Sequence, residues 1–265
     1  MMQSLKCGWS VSTLRQTGTG VPVLMLHSSG LGAFQWRRSL RRFRPRPVCA
    51  PDLIGYGATD DWEQDGPKNW LQDLAIAAEL LEELGTADVV GHSYGGHLAL
   101  HLAREFPDRV RRLALHEPVI WGVVWNDAEP DVRQELQGAV DALSPEAVCP
   151  GSRAWVAAFI DFWNGPDSWS SLNAGRQEAW EKIGPIVAAE VQALTLDNRP
   201  LSHWSQISAP TVVTCGRETP RPEARACELL CEALEQGQMK RTGGGHMAPL
   251  SNSAEVMDAW VEHLA

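Results

Sequence analysis

The sequence predicts an α/β architecture: a mostly parallel sheet, covered by helices on both faces and interrupted by a helical insert. Three observations carry this reading. Strand-like segments, among them the continuous apolar run at 22–27 that a strand buried on both faces would show and a strand at 210–215, alternate with segments of helical periodicity. The alternation stops at about Val119 and resumes after Ser205, and helical segments broken by Pro and Gly fill the stretch between. Finally, the strand-like run at 87–90 turns through Gly91-His92-Ser93-Tyr94-Gly95 straight into an apolar helix that closes at Pro107.

The composition bounds the answer. A chain of 265 residues suits one large domain or a domain with an insertion, and 44% hydrophobic with 21% charged residues is ordinary globular usage, which excludes disordered and fibrous classes. No apolar run approaches the roughly twenty residues of a membrane span. Residues 1–9 lack the apolar core of a signal peptide, so a cytoplasmic protein without a membrane partner is expected. Six cysteines without a C-x-x-C pair fit reduced thiols better than a disulfide frame or a zinc site. The net charge of -10 argues against nucleic-acid partners. One basic stretch, 36–46, reads as the solvated face of a helix that buries Trp36, Leu40 and Phe43.

Taken in order, residues 4–15 alternate loosely and predict edge strands. A core strand at 22–27 ends in the small-residue loop Ser28-Ser29-Gly30-Leu31-Gly32, and a short strand at 47–50 leads to a loop at 51–57. Trp70, Leu71, Leu74, Ala78, Leu81 and Leu84 recur at helical spacing until Gly85. After the turn at Ser93 and its helix, a strand at 110–115 ends in His116-Glu117-Pro118. Helices are expected at 131–143, 152–163 and 177–196 in the insert, then a strand at 210–215, a helix at 223–234 and a strand at 238–242. The last helix opens on Asn252 with Glu255 three residues on, and shows an apolar face of Val256, Met257, Trp260, Val261 and Leu264. The boundaries that follow are a core in two parts, 1–118 and 206–265, with a cap at 119–205.

In such sheets ligands gather at the carboxyl ends of the strands, where Ser28-Ser29-Gly30, Ser93, Glu117 and Gly245-His246 all fall. A serine at a sharp strand-to-helix corner exposes its hydroxyl, but at its free pKa it is a poor nucleophile and needs a histidine base with an orienting carboxylate. His246, in a glycine-rich loop after the last strand, is free to turn over those strand ends. The other seven histidines read as helix or loop positions. His97 and His101 stand one helical turn apart without a third ligand in reach of the sequence, so no metal is expected.

With Gly91-His92-Ser93-Tyr94-Gly95, the His27-Ser28-Ser29-Gly30 loop and Gly245-His246 in this order, the whole chain resembles the α/β-hydrolase family. The resemblance implies an eight-stranded, mostly parallel sheet with a helical lid after the sixth strand, no cofactor, and a Ser, acid, His triad in chain order. Ser93 then stands as nucleophile and His246 as base. Most of the family carries its acid after the seventh strand, and here Cys215-Gly216-Arg217-Glu218-Thr219 puts Thr219 in that place. Some relatives carry it after the sixth strand, where this chain has Glu117. Glu117 is favoured, with Glu218, one residue short of the usual position, as the alternative. The resemblance places the oxyanion hole at the N–H groups of Ser29 and Tyr94, although Ser28 stands where the family usually has Gly.

Twelve tryptophans against two tyrosines and five phenylalanines is an unusual balance, and seven lie in the insert (Trp121, Trp125, Trp155, Trp163, Trp169, Trp180, Trp204). Trp36, Trp121, Trp125 and Trp163 are the candidates for lining an apolar substrate pocket. The expected activity is hydrolysis of a small to medium, largely apolar carboxylic ester through an acyl-enzyme, the partner being a small molecule. A serine nucleophile speaks against dehalogenase and epoxide-hydrolase chemistry. Carbon–carbon bond hydrolysis, acyl transfer and perhydrolysis use the same triad, although carbon–carbon hydrolases usually carry an aromatic after the catalytic His, where this chain has Met247. A non-catalytic ligand-binding role is the alternative of a different class.

Overall fold

The structure, a computed structural model, describes residues 1–62, 68–251 and 253–265. Eight strands form one sheet: β1 (Met2–Ser4), β2 (Ser10–Gln16), β3 (Val23–Leu26), β4 (Val48–Pro51), β5 (Ala87–His92), β6 (Val110–His116), β7 (Thr211–Gly216) and β8 (Gly237–Thr242). They lie in the order β1-β2-β4-β3-β5-β6-β7-β8. β1 and β2 run antiparallel to their neighbours, and the strands from β4 to β8 are parallel.

β3, β5 and β7 are buried at every residue, and β6 from Leu113 onward, because each face meets its own layer. Leu24, Leu26, Val89, Leu113, Leu115 and Val213 point into one core, while Val23, Met25, Val90, Ala114 and Val212 point into the other. A period of two on a doubly covered sheet therefore reads in sequence as an unbroken apolar run. The first layer is built on α1 (Trp70–Leu84) and α2 (Tyr94–Glu105). The second holds α10 (Ser253–Leu264), whose Trp260 packs 6.0 Å, centroid to centroid, from Trp36.

Between β6 and β7 the chain makes five helices: α3 (Trp121–Asp127), α4 (Pro130–Ala142), α5 (Arg153–Asn164), α6 (Ala174–Leu196) and α7 (Leu201–Trp204). Side-chain caps set two of their starts, since Ser152 accepts from the Trp155 N–H and Asn173 from that of Arg176. α8 (Arg221–Ala233) and the short α9 (Ala248–Ser251) complete the set. The proposed Asn252 cap lies outside the described residues. The basic stretch departs from expectation, forming two 3-10 turns at Ala33–Trp36 and Leu40–Phe43 instead of one helix. Arg44 is extended, as a residue before proline prefers, and that stops the second turn. Trp36 and Phe43 are buried while Arg37, Arg38, Arg41 and Arg42 face water, so the amphipathic division survives the change of geometry. Among the described residues no helix is long and apolar enough to cross a membrane.

Candidate active site

The corner after β5 can be made only with glycine on both sides of Ser93. A Cβ at Gly95 would lie 2.2 Å from the Leu26 carbonyl oxygen on β3, and one at Gly91 would lie 2.6 Å from the Gly95 oxygen. Ser93 itself takes φ 55°, a left-handed conformation that costs an L-residue about 1–3 kcal/mol and holds its hydroxyl over the strand end. There Ser93 Oγ stands 2.9 Å from His246 Nε2, and His246 Nδ1 stands 2.8 Å from Glu117 Oε2. With the carboxylate ionised, Nδ1–H donates to Glu117, and Nε2 is left to accept from the serine hydroxyl.

Glu117 is wholly buried and also left-handed, at φ 43°. Its second oxygen, Oε1, accepts from the Gly216 N–H at 2.9 Å and from the Thr219 hydroxyl, and His116 Nε2 lies 3.3 Å away. Burial opposes the charge, but His116 and the hydrogen bonds from His246 and Thr219 outweigh it and bring Glu117 down to about 2. Burial also pushes His116 down to about 4, so at neutral pH this ring is uncharged and the hydrogen bonds from His246, Thr219 and the Gly216 N–H hold Glu117 ionised. Glu223, buried on α8, is pushed well above the usual carboxylate range by burial and by Glu117's charge. Glu117 is thus the carboxylate that is charged beside His246.

Thr219 occupies the place where the family's acid usually stands, and in this chain its hydroxyl supports an acid that comes from the neighbouring strand. The pairing of β6 with β7, with His116 opposite Thr214, makes this possible. Glu218 does not approach His246: it is exposed, and its N–H is tied to the Gly244 carbonyl at 3.0 Å. The β7–α8 turn thus aims the Glu218 side chain at solvent, and Glu117 is the carboxylate that the structure brings to His246.

A second chain of hydrogen bonds fixes the backbone around Ser93. The Ser28 N–H donates to Gln35 Oε1 at 3.1 Å, Gln35 Nε2 donates to His92 Nδ1 at 3.0 Å, and His92 Nε2 donates to the His246 carbonyl at 2.8 Å. Gln35 and His92 thus tie the loop carrying Ser29 to the loop carrying His246. Gln35 is not legible in the sequence, since a lone glutamine in a basic stretch has no periodicity to mark it. On the same side the Gly30 N–H donates to Tyr56 Oη, which donates to Glu190 on α6. The N–H groups of Ser29 and Tyr94 have no acceptor among the described residues.

A cavity of about 350 Å³ opens beside His246, lined by Ser28, Ser29 and Met247 from the core and by Phe159, Ile160, Trp163, Leu172 and Trp180 from α5, α6 and the segment between them. Asn164, Ser168, Ser171 and Arg176 supply its polar side, and a wider cleft of about 1120 Å³ continues past Arg176 and Trp180. Trp163 stacks on His246 with ring centroids 3.7 Å apart and planes 21° apart. Of the four candidate pocket tryptophans only Trp163 lines this cavity. Trp36 is buried on the opposite face of the sheet against Trp260, because the 3-10 turn at 33–36 points it inward. Trp121 lines a separate cavity of about 350 Å³ within the insert, and Trp125 packs against the core at its edge. Trp180, Arg176 and Phe159 are lining residues that the sequence did not single out.

The profile of the Alpha/beta hydrolase family matches residues 23–259, and the chain belongs to that family. It is 40% identical over 110 residues to a 2-hydroxy-6-oxo-2,4-heptadienoate hydrolase of Pseudomonas putida, a match covering 39% of this chain and 40% of that protein. Lipase LipV of Mycobacterium tuberculosis is 35% identical over 102 residues, covering 37% of each. The chain thus matches about two fifths of the length of these relatives. Among solved structures, a hydrolase from Pseudomonas aeruginosa superposes with a TM-score of 0.75 at 19% identity, over 100% of this chain and 98% of that one.

Proposed function

We propose that this chain is a serine hydrolase that cleaves a small to medium, largely apolar carboxylic ester through an acyl-enzyme. The observation that carries the reading is the unbroken relay from Ser93 Oγ through His246 to an ionised Glu117. Ser93 Oγ attacks the ester carbonyl carbon while His246 Nε2 takes its proton. The carbonyl oxygen, now an anion, is met by the Ser29 and Tyr94 N–H groups, and a donor of this kind is typically worth about 10²–10³ in turnover. The intermediate collapses, and the alkoxide leaves with the proton from His246. Water then repeats the sequence on the acyl-enzyme: it gives a proton to His246, its oxygen bonds the acyl carbon, and Ser93 Oγ leaves with that proton from His246 as the acid departs. Glu117 holds the imidazole in the tautomer that accepts at Nε2, and the Trp163 face lies against the imidazolium that forms in each half-reaction. The rings of Phe159, Trp163 and Trp180 favour an apolar acyl group.

Carbon–carbon hydrolysis is the second reading. Arg176, exposed at the rim with Asn164, Ser168 and Ser171 nearby, gives the cavity a cationic side suited to an acidic substrate, and the Pseudomonas putida relative is named for such a substrate. Initial rates on p-nitrophenyl esters of two to eight carbons and on a 2-hydroxy-6-oxo-2,4-dienoate, each beside Ser93→Ala, separate the two. The ester reading expects kcat/KM to be higher for an ester and to fall about 10⁵-fold or more in Ser93→Ala. Turnover of the dienoate alone overturns it in favour of the second.

A further inference from the structure

Where α6 ends, the insert returns onto the helix that follows Ser93, and three side chains each bring one unpartnered atom to the same place. His97 and His101 face the same way from α2, and Asp197 follows the last residue of α6. His97 Nε2 lies 3.4 Å from Asp197 Oδ2 and His101 Nε2 lies 3.9 Å from the same oxygen, all three ligand atoms falling within 4.8 Å of one another. Each is buried with no hydrogen-bond partner among the described residues.

The second atoms of these groups decide what the first ones can be. His97 Nδ1 faces the Val119 carbonyl at 3.1 Å, so its proton sits there and Nε2 carries a lone pair. His101 Nδ1 lies 3.9 Å from Glu105, beyond hydrogen-bond distance, so the ring proton is free to sit on Nδ1 and leave Nε2 as a ligand. Asp197 Oδ1 is taken by Arg199, through its N–H at 3.2 Å and its guanidinium, which lies over the Trp70 ring. With the His101 proton on Nδ1, two imidazole lone pairs and a carboxylate oxygen converge on one spot. Three acceptors converging in a dry place repel one another unless a cation sits among them.

We propose that His97, His101 and Asp197 hold a divalent transition metal of the zinc class that clamps the end of α6 to α2. Bonds of 2.0–2.1 Å in a tetrahedron put neighbouring ligand atoms about 3.4 Å apart, the separation of His97 from Asp197, and a shift of about half an ångström brings His101 to the same distance. Two nitrogens and one carboxylate suit zinc or cobalt, whereas magnesium and calcium prefer an all-oxygen shell. The Val119 carbonyl behind His97 is a contact of the kind that orients a metal-bound imidazole, and Trp70, stacked on His101 at 4.3 Å, fixes that ring's plane. The role is structural. The metal ties the insert, which supplies Phe159, Trp163 and Trp180 to the cavity, to the helix whose first turn follows Ser93.

The test uses chelator-treated full-length protein titrated with Co²⁺ and with Zn²⁺. Wild type should bind one Co²⁺ per chain with the intense visible bands of a tetrahedral site, and Zn²⁺ at a hundredfold excess over Kd should raise Tm by about 5–10 °C. Both effects should vanish in His101→Gln and in Asp197→Asn, the second keeping the shape of the side chain should the first fail to fold. Folded wild type that binds neither metal overturns the proposal, leaving a proton shared between His97 and Asp197 as the occupant. Binding retained in folded variants overturns it equally, since the metal then sits elsewhere.

Discussion

Glu117→Gln should lower kcat on an ester substrate by about 10⁴-fold while the protein remains folded. Glutamine has the right size, but one carboxylate oxygen becomes an NH₂ group that only donates. Both oxygens of Glu117 accept: Oε2 from His246 Nδ1–H, and Oε1 from the Gly216 N–H and the Thr219 hydroxyl. If the NH₂ faces His246, Nδ1 must accept and the ring proton moves to Nε2, where it can no longer take the proton of Ser93. If it faces Gly216, two N–H groups oppose each other in a buried site, at a cost of about 1–3 kcal/mol. Glu218→Gln, on the solvent side of the turn, should leave kcat within about twofold, as surface substitutions do. Steady-state rates of both variants, with near-ultraviolet circular dichroism to establish folding, check the pair. The same carboxylate bears on acid stability. Its folded pKa, about 2, lies below the ordinary 4.5, so its contribution is fully present above pH 4.5 and is lost as pH falls through that value toward 2.

Lys68→Met should destabilise the fold by about 3–5 kcal/mol, the typical cost of removing one partner from a buried ion pair. Lys68 Nζ lies 2.8 Å from Asp73 and 2.6 Å from Glu190, with the Ile54 carbonyl at 3.2 Å, and all three side chains are buried. Burial opposes the ammonium, yet the two carboxylates outweigh it and hold the Lys68 pKa above its usual value. Burial and the nearby Asp73 raise Glu190 despite Lys68. Without the cation, two carboxylates face each other with one fewer donor. The damage should reach turnover as well, because Tyr94, next to Ser93, donates to Asp73 at 2.6 Å, and Tyr56 joins Glu190 to the Gly30 N–H. Urea denaturation reads the loss, and adding Glu190→Gln should recover part of it. An unchanged midpoint would show that the triad of charges contributes nothing net.

The sheet and its insert were legible because periodicity survives in sequence. Residues 22–27 can be unbroken apolar only if covered on both faces, and the loss of alternation after Val119 marks where the helices of the insert begin. The corner at Ser93 was legible because sterics demand glycine at fixed offsets. What could not be read depends on pairings between distant segments. Thr219 looked like a missing acid until β6 and β7 set it beside Glu117. His97 and His101 showed two ligands at helical spacing, but Asp197 is brought to them only by the return of the chain from α6. Tryptophans announce burial but not direction. Trp36 and Trp163 are equally apolar in sequence, yet one faces α10 below the sheet and the other lies on His246 above it.

The most direct test of an activated Ser93 is the intact mass of folded wild type after treatment with a fluorophosphonate, beside Ser93→Ala. A hydroxyl activated through His246 displaces fluoride from phosphorus, so one adduct per chain is expected in wild type and none in the variant. Folded wild type that takes up no adduct, or an adduct that persists in Ser93→Ala, would contradict the account.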